Sequence, residues 1–134
     1  MRVFLDTNIL VYAIDPAEPE KRQRAREVIA EHADSGQLVL STQVLSEFYN
    51  IATRKIGVPP DLALALVERH AEHEVIESSV ALVVSAIRLH QEHSLSFWDA
   101  QIIRAAQFGE CDLLISEDLQ HGRLFAELTI NNPF

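Results

Sequence analysis

The chain has 134 residues and a mass of 15.1 kDa, the size of one domain with an ordinary core. A hydrophobic content of 48%, with only four glycines and five prolines, excludes a disordered or collagen-like protein. A formal charge of −9 excludes a protein that holds nucleic acid mainly through a broad basic surface. We therefore expect a single domain over residues 1–134, in which any nucleic acid is held locally.

The ends and the cysteine content bear on the compartment. An acid at position 6 follows only five residues, which argues against a signal peptide, and no apolar run approaches the roughly 20 residues of a membrane span. The single cysteine, Cys111, has no partner for an internal disulfide. These features predict a cytoplasmic protein that does not enter a membrane.

Short apolar runs alternate with segments of helical composition along the chain. In chain order they predict a strand at 3–5, helices at 9–14 and 21–33, a strand at 38–40, helices at 42–55 and 61–73, a strand at 75–76, helices at 79–92 and 96–108, and strands at 113–115 and 128–130. This alternation predicts an α/β fold, a three-layer α/β/α sandwich around a mostly parallel sheet. Serines are predicted to begin three of the helices: Ser41, the pair Ser78 and Ser79, and Ser96.

Four acidic residues adjoin or interrupt apolar runs, and none has an obvious cation beside it: Asp6, Glu47, Asp99 and Asp118. Asp6 directly follows the first strand, and Asp118 follows the fourth. Ligands of open α/β sheets bind outside the carboxyl ends of the strands, so both could reach one crevice. Glu47 and Asp99 fall on the apolar faces of two helices, by their spacing from neighbouring apolar residues.

Each acid also has a local explanation that the sequence leaves open. Asp6 could simply cap the helix that follows the strand, and Asp118 could be a turn residue. Asp99 could complete a capping box that begins at Ser96, and Glu47 could lie at the edge of its helix. If the four converge, however, they cannot all stay charged without a cation among them, and oxygen ligands select Mg²⁺ or Mn²⁺. Such a site predicts phosphodiester hydrolysis.

Four stretches containing these acids resemble the PIN-domain nucleases, and among them the toxins of VapBC toxin-antitoxin pairs. They are 4–10 (FLDTNIL), 41–48 (STQVLSEF), 95–100 (LSFWDA) and 113–118 (LLISED), and the closing 130–134 (INNPF) is also similar. The resemblance implies a metal-dependent endoribonuclease that works as a homodimer and is blocked by a small antitoxin protein.

The resemblance also implies roles for individual residues. Asp6 and Asp99 would be the principal ligands of a Mg²⁺ or Mn²⁺ ion, and Asp118 would complete the site directly or through water. Glu47 would hold or activate the attacking water. Two further residues, Asn8 and Ser116, match positions that orient the acids by hydrogen bonds.

Other functions stay open at this point. A haloacid-dehalogenase-type phosphatase would need a second aspartate at position 8, where the chain has Asn8, and a receiver domain would need a late lysine, which is absent after Lys55. The pairs His70/His73 and His90/His93 have zinc-like spacing. A catalytically inert PIN-like interaction module is the non-enzymatic alternative.

Basic residues are few. Two clusters are candidates for local contact with nucleic acid: Lys21, Arg22, Arg24 and Arg26, and the pair Arg54 and Lys55. Either cluster could equally be a solvated helix face.

Overall fold

The computed structural model describes all of residues 1–134. Its six strands form one sheet: β1 (Val3–Leu5), β2 (Leu38–Ser41), β3 (Glu74–Ile76), β4 (Leu113–Ile115), β5 (Leu124–Phe125) and β6 (Leu128–Asn131). Their order across the sheet is β3-β2-β1-β4-β6-β5, and every pairing is parallel except that of β5 with β6. The predicted α/β fold with a mostly parallel sheet is confirmed.

Six α-helices cover the sheet: α1 (Thr7–Tyr12), α2 (Pro19–Ala33), α3 (Thr42–Ile51), α4 (Pro60–His70), α5 (Val80–Glu92) and α6 (Phe97–Phe108). All three residues of the central strand β1 are fully buried, although successive side chains of a strand point to opposite faces. Both faces of the sheet are therefore covered, as a three-layer sandwich requires. No helix has the length and apolar character that crossing a membrane would need.

Three of the helices have a serine as their N-cap residue. Ser41, Ser79 and Ser96 are the N-caps of α3, α5 and α6, and each accepts a hydrogen bond from the backbone N–H three residues later. This satisfies a donor that the first helical turn leaves free. The serines that the sequence pattern predicted as helix starts therefore have that role.

The helix starts and ends differ from the predicted ones by up to four residues: α1 begins and ends two residues earlier than predicted, and α2 begins two residues earlier. The largest differences are two helix ends and one strand. The helix expected to reach residue 55 is α-helical only to Ile51 and continues as a π-helical segment, Ala52–Ile56. The helix expected to reach 73 ends at His70, because β3 begins at Glu74. The two-residue strand β5 was not predicted; it forms an antiparallel pair with β6 and is too short to show a period.

The position of β1 decides where side chains converge. β1 pairs with β2 on one side and with β4 on the other, so the sheet order switches at β1. The backbone N–H of Asp6 donates to the carbonyl of Ile115, 3.0 Å away, which holds the carboxyl ends of β1 and β4 together. The crevice expected at such a switch point therefore lies just beyond Asp6 and Ile115.

Candidate active site

A cavity of about 260 Å³ opens at the carboxyl ends of β1 and β4. Asp6, Glu47, Asp99 and Asp118 all contribute to its wall. They come from four different elements: the end of β1, the middle of α3, the first turn of α6 and the loop after β4. The fold thus brings to one cavity four acids that are far apart in sequence.

Asp6 is the buried member of the four, with 5% of its surface exposed. It is the N-cap of α1, and its Oδ1 accepts the backbone N–H of Thr7 at 2.7 Å. Its Oδ2 accepts the hydroxyl of Ser116 at 2.7 Å. Asp6 therefore caps a helix and lines the cavity at once, so the local explanation and the functional one are compatible.

Asn8 and Ser116 connect Asp6 to Asp118. The Asn8 amide nitrogen donates to Asp118 Oδ2 at 3.2 Å and to the Ser116 hydroxyl at 3.3 Å. The Asn8 amide oxygen accepts the backbone N–H of Glu117, and Ser116 Oγ accepts that of Asp118. These bonds fix the loop after β4 against the start of α1. Asp118 itself is exposed at the cavity rim.

Glu47 is held by two neutral donors. Its Oε2 accepts the hydroxyl of Thr7 at 2.9 Å, and its Oε1 accepts the side-chain amide of Gln43 at 2.7 Å. Gln43 lies one turn earlier on α3 and also donates to the backbone carbonyl of Trp98 at 3.3 Å. Glu47 is thereby tied to α1 and, through Gln43, to the first turn of α6.

Asp99 forms half of the expected capping box. Its backbone N–H donates to Ser96 Oγ at 3.0 Å, but its carboxylate accepts no backbone N–H in return. The reciprocal bond of a capping box is therefore missing, and the half-buried carboxylate lines the cavity instead.

Burial and mutual repulsion disfavour the charged forms of two acids. Burial raises the pKa of Asp6 to about 7; the Ser116 hydroxyl and the Thr7 amide lower it, and the carboxylates of Asp118 and Glu47 raise it again. Burial also raises the pKa of Asp99, with the same two carboxylates adding to the rise and the Ser96 hydroxyl opposing it. No positive side chain pairs with any of the four acids.

The donor set suits a hard divalent cation, because the cavity offers carboxylate oxygens whose charge nothing else compensates. As the side chains stand, no three His, Cys, Asp or Glu residues form a group that could hold a metal ion by themselves. The carboxylates are instead held by Thr7, Asn8, Gln43 and Ser116. The residues therefore fit an ion such as Mg²⁺, which commonly takes only one or two carboxylates and completes its shell with water and phosphate oxygens.

The histidine pairs do not form a zinc site. His70 packs edge-on against Phe48, and burial lowers its pKa to about 4. His90 contacts the carbonyl of Leu95, whereas His93 lies against Phe125. Neither pair belongs to a group of three His, Cys, Asp or Glu residues that could hold a metal ion, so the zinc alternative has no support in the structure.

The basic cluster on α2 is largely bonded to other groups. Lys21 pairs with Glu117, Arg24 bonds Glu27 and the carbonyl of Pro133, and Arg26 bonds the carbonyl of Ala13. Of the two basic clusters considered, only the second reaches the cavity, through Lys55.

Sequence reasoning missed two residues that hold Glu47, namely Thr7 and Gln43. Both stand within stretches already noted for their acids, and Gln43 precedes Glu47 by four positions, the spacing of neighbours on one helix face. That spacing was the available signal for Gln43. Thr7 had none, because its partner is 40 residues away in the chain.

A family model described as the PIN domain matches residues 3–125, a range that contains all four acids. This match confirms the resemblance noted from the sequence motifs. Among curated protein sequences, none matches the chain significantly.

Solved structures with the same fold include VapC20 of Mycobacterium tuberculosis, a toxin that cleaves the sarcin-ricin loop, at 19% identity and a TM-score of 0.65 over 84% of this chain and 86% of that one. A toxin-antitoxin complex from Klebsiella pneumoniae matches at 20% identity and a TM-score of 0.72 over 100% and 98%. VapBC2 from Rickettsia felis, bound to a DNA fragment from its promoter, matches at 22% identity and 0.71 over 98% of both chains. At these identities the likeness shows the fold.

Proposed function

Because the chain belongs to the PIN domain family, we propose that it is an endoribonuclease that hydrolyses RNA phosphodiester bonds with Mg²⁺ or Mn²⁺. We further propose that it is the toxin of a toxin-antitoxin pair and acts in the cytoplasm as a homodimer. The observation that carries the proposal is the meeting of four acids in one cavity with no positive side chain paired to any of them. The sarcin-ricin loop cleavage named for one structural neighbour is consistent with RNA as substrate.

In this proposal Asp6 and Asp99 hold the metal ion, and Asp118 at the rim assists directly or through water. A bound divalent ion would neutralise charge on the phosphodiester and favour ionisation of the attacking water. Asn8 and Ser116 orient Asp6 and Asp118 through the bonds described above. Their contribution is to keep the two carboxylates facing the same space.

Glu47 has the role of the general base. Both of its oxygens are fixed by neutral donors, Thr7 and Gln43, so the carboxylate is oriented without being neutralised. A water molecule beside Glu47 would give a proton to the Glu47 carboxylate while the water oxygen attacks phosphorus. The departing sugar oxygen would then take a proton from solvent.

The negative charge of the cavity is also the basis for proposing an antitoxin partner. A cavity wall with uncompensated carboxylates would accept a basic side chain, which would take the place of the metal and close the site. Two of the structural neighbours are themselves toxin-antitoxin or VapBC assemblies, which agrees with such a partner.

The test is RNA cleavage by the purified chain, free of any antitoxin, across a titration of Mg²⁺ and Mn²⁺. We expect cleavage only with metal, and none from Asp99→Asn. Calorimetry should show that this variant also binds the metal more weakly. Equal cleavage in chelator, or by the variant, would refute the proposal, and an inert interaction module would then be the better description.

A second measurement concerns RNA affinity. The acidic cavity and the overall charge of −9 predict weak, nonspecific RNA binding in chelator. Tight, sequence-independent binding at physiological salt without metal would contradict this expectation.

A further inference from the structure

Lys55 is the one basic residue on the wall of the acid cavity. Its side chain is exposed and makes no hydrogen bond or ion pair. Lys21 does not line the cavity, and its ammonium group is bonded to two residues that do, Glu117 and Tyr12. Lys55 is therefore a free positive charge beside a site that is otherwise acidic.

The π-helical segment accounts for the direction of Lys55. Four residues at four-residue spacing line the cavity from α3 onward: Gln43, Glu47, Ile51 and Lys55. In an α-helix each such step overshoots a full turn by about 40°, so the row would drift off the cavity. The Ala52–Ile56 segment has a wider turn, closed by the bond from the N–H of Gly57 to the carbonyl of Ala52. The last step therefore falls short of a turn, which brings Lys55 back toward the row.

Besides Lys55, the cavity wall contains an exposed aromatic residue, Trp98. It is 63% exposed, although it lies beside Asp99 in the first turn of α6. Its backbone carbonyl accepts the Gln43 amide, which fixes that turn against α3. The other aromatic ring on the wall, Tyr12, is covered by Phe134 at a centroid distance of 5.2 Å. Trp98 also has a ring beside it, that of Phe97 at a centroid distance of 5.3 Å, but Trp98 is exposed whereas Tyr12 is half-buried. Trp98 therefore presents the most open aromatic surface of the cavity.

We propose that Lys55 and Trp98 bind one unpaired stretch of the RNA substrate, Lys55 through a backbone phosphate and Trp98 by stacking on a base. The proposal rests on the ribonuclease function proposed above and adds to it two residues of the cavity wall that hold the substrate. An exposed lysine supplies a point charge for a phosphate oxygen. An exposed indole stacks on any base that is not already stacked in a duplex, so paired RNA would lose this contact.

The first experiment measures cleavage kinetics on a single-stranded oligoribonucleotide and on the same strand annealed to its complement. We expect the wild type to prefer the single strand. Trp98→Leu should raise KM about tenfold with little change in kcat, whereas Trp98→Phe should keep most of the affinity. Lys55→Gln should raise KM several-fold and reduce the slope of log affinity against log salt by about 0.7.

Two matched controls come from the same elements. Arg54→Gln removes the neighbouring positive charge, which lines a different groove between α3 and α4. Phe108→Leu removes an aromatic ring that is 46% exposed at the other end of α6. Both variants should cleave as the wild type does.

The second experiment uses the fact that Trp98 is the only tryptophan. Intrinsic fluorescence of the Asp6→Asn protein, in which we expect cleavage to stop, is followed while single-stranded RNA is added with Mg²⁺. Stacking should quench it, and a matched abasic oligonucleotide should bind with much less quenching. Lys55→Gln should shift the midpoint to higher RNA concentration without changing the final quenching.

The outcomes separate this proposal from the function it rests on. If the wild type cleaves RNA but the Lys55 and Trp98 variants behave like their controls, the binding site is overturned and the nuclease stands. If the wild type cleaves no RNA, yet RNA quenches Trp98 and the abasic strand does not, the nuclease fails and the binding site stands. Equal quenching by both oligonucleotides, or none at saturation, overturns the stacking role.

Discussion

Acidic side chains are paired with Arg2 at one edge of the sheet, whereas most of those at the other edge have no positive partner. At the amino ends of the strands, the Arg2 guanidinium donates to Glu74 at 2.5 Å, and the Arg2 backbone N–H donates to Asp112 at 2.9 Å. At the carboxyl ends, Lys21 pairs with Glu117 at the cavity wall, but Asp6, Glu47 and Asp118 accept hydrogen bonds only from neutral donors. The same strands thus have a stabilising ion pair at one end and an excess of negative charge at the other, where a ligand would bind.

The largest effect should come from neutralising an acid at the carboxyl ends of the strands. Asp6→Asn keeps an N-cap residue for α1 and removes a proposed metal ligand. RNA cleavage should fall more than about a hundredfold, while the melting temperature in chelator stays the same or rises because repulsion is relieved. Glu47→Ala should likewise leave the metal-free fold intact.

The matched control is Asp112→Asn at the amino ends of the strands, which should leave cleavage unchanged. A large loss of metal-free melting temperature in both Asp6→Asn and Glu47→Ala would instead indicate structural roles for these acids.

The second-largest effect should be on the pH dependence of the free energy of unfolding, to which the buried Asp6 contributes. Because Asp6 has a pKa of about 7 in the folded chain and an ordinary value of 3.8 when unfolded, the folded state holds the extra proton between these values. Its contribution to stability should therefore fall as pH rises from about 4 to 7, by at most about 1.4 kcal/mol per pH unit. The raised pKa of Asp99 acts in the same direction.

His70 opposes this trend, so a difference measurement is needed. Its pKa of about 4 in the fold means that stability is lost as pH falls below about 6.5. Denaturant melts of wild type and Asp6→Asn in chelator share the His70 contribution, which cancels when one is subtracted from the other. A difference that does not change between pH 4 and 7 would contradict the raised pKa of Asp6.

Removing the ion pair at the amino ends of the strands should have a smaller effect, which concerns stability and not cleavage. Arg2→Gln loses the ion pair with Glu74 and the bond to the Gly109 carbonyl, so it should cost up to about 1 kcal/mol of stability. Cleavage should not change. The control is Arg88→Gln, which changes an exposed arginine without such partners. An equal loss of stability in both variants would show that the Arg2 ion pair does not stabilise the fold.

The smallest effect should follow from loosening the general base. Gln43→Ala removes one donor to Glu47 and one to the Trp98 carbonyl, which should lower kcat about threefold to tenfold. Ser46→Ala on the same helix should have no such effect. Unchanged kinetics in Gln43→Ala would mean that Thr7 alone is enough to orient Glu47.

The sequence predicted the parts of the molecule that rest on local patterns. Apolar runs indicated five of the six strands, and serine caps indicated three helix starts. The convergence of Asp6 and Asp118 was predictable because it follows from the rule for the carboxyl ends of parallel strands. The degree of burial of the four acids was not predictable from these patterns: Asp6 is buried, Glu47 and Asp99 are half-buried, and Asp118 is exposed.

Other parts required the fold. The π-helical segment before Gly57 is only five residues long, which is too short to show a hydrophobic period different from that of an α-helix. The sequence therefore indicated an ordinary helix to residue 55. The Thr7–Glu47 bond joins residues whose proximity depends on how α1 packs against α3. Local chemistry can name the acids, but it cannot say which neutral side chains hold them.

The bond between Ser116 and Asp6 has a consequence for the synthesis of the protein. It joins residues 110 positions apart, and β1 can pair with β4 only after residue 115 has left the ribosome. A growing chain therefore carries Asp6 and Glu47 long before Asp118 exists to complete the cavity. If the chain cleaves RNA as proposed, nascent copies would remain harmless to the ribosome that makes them until residue 118 has been added and has emerged.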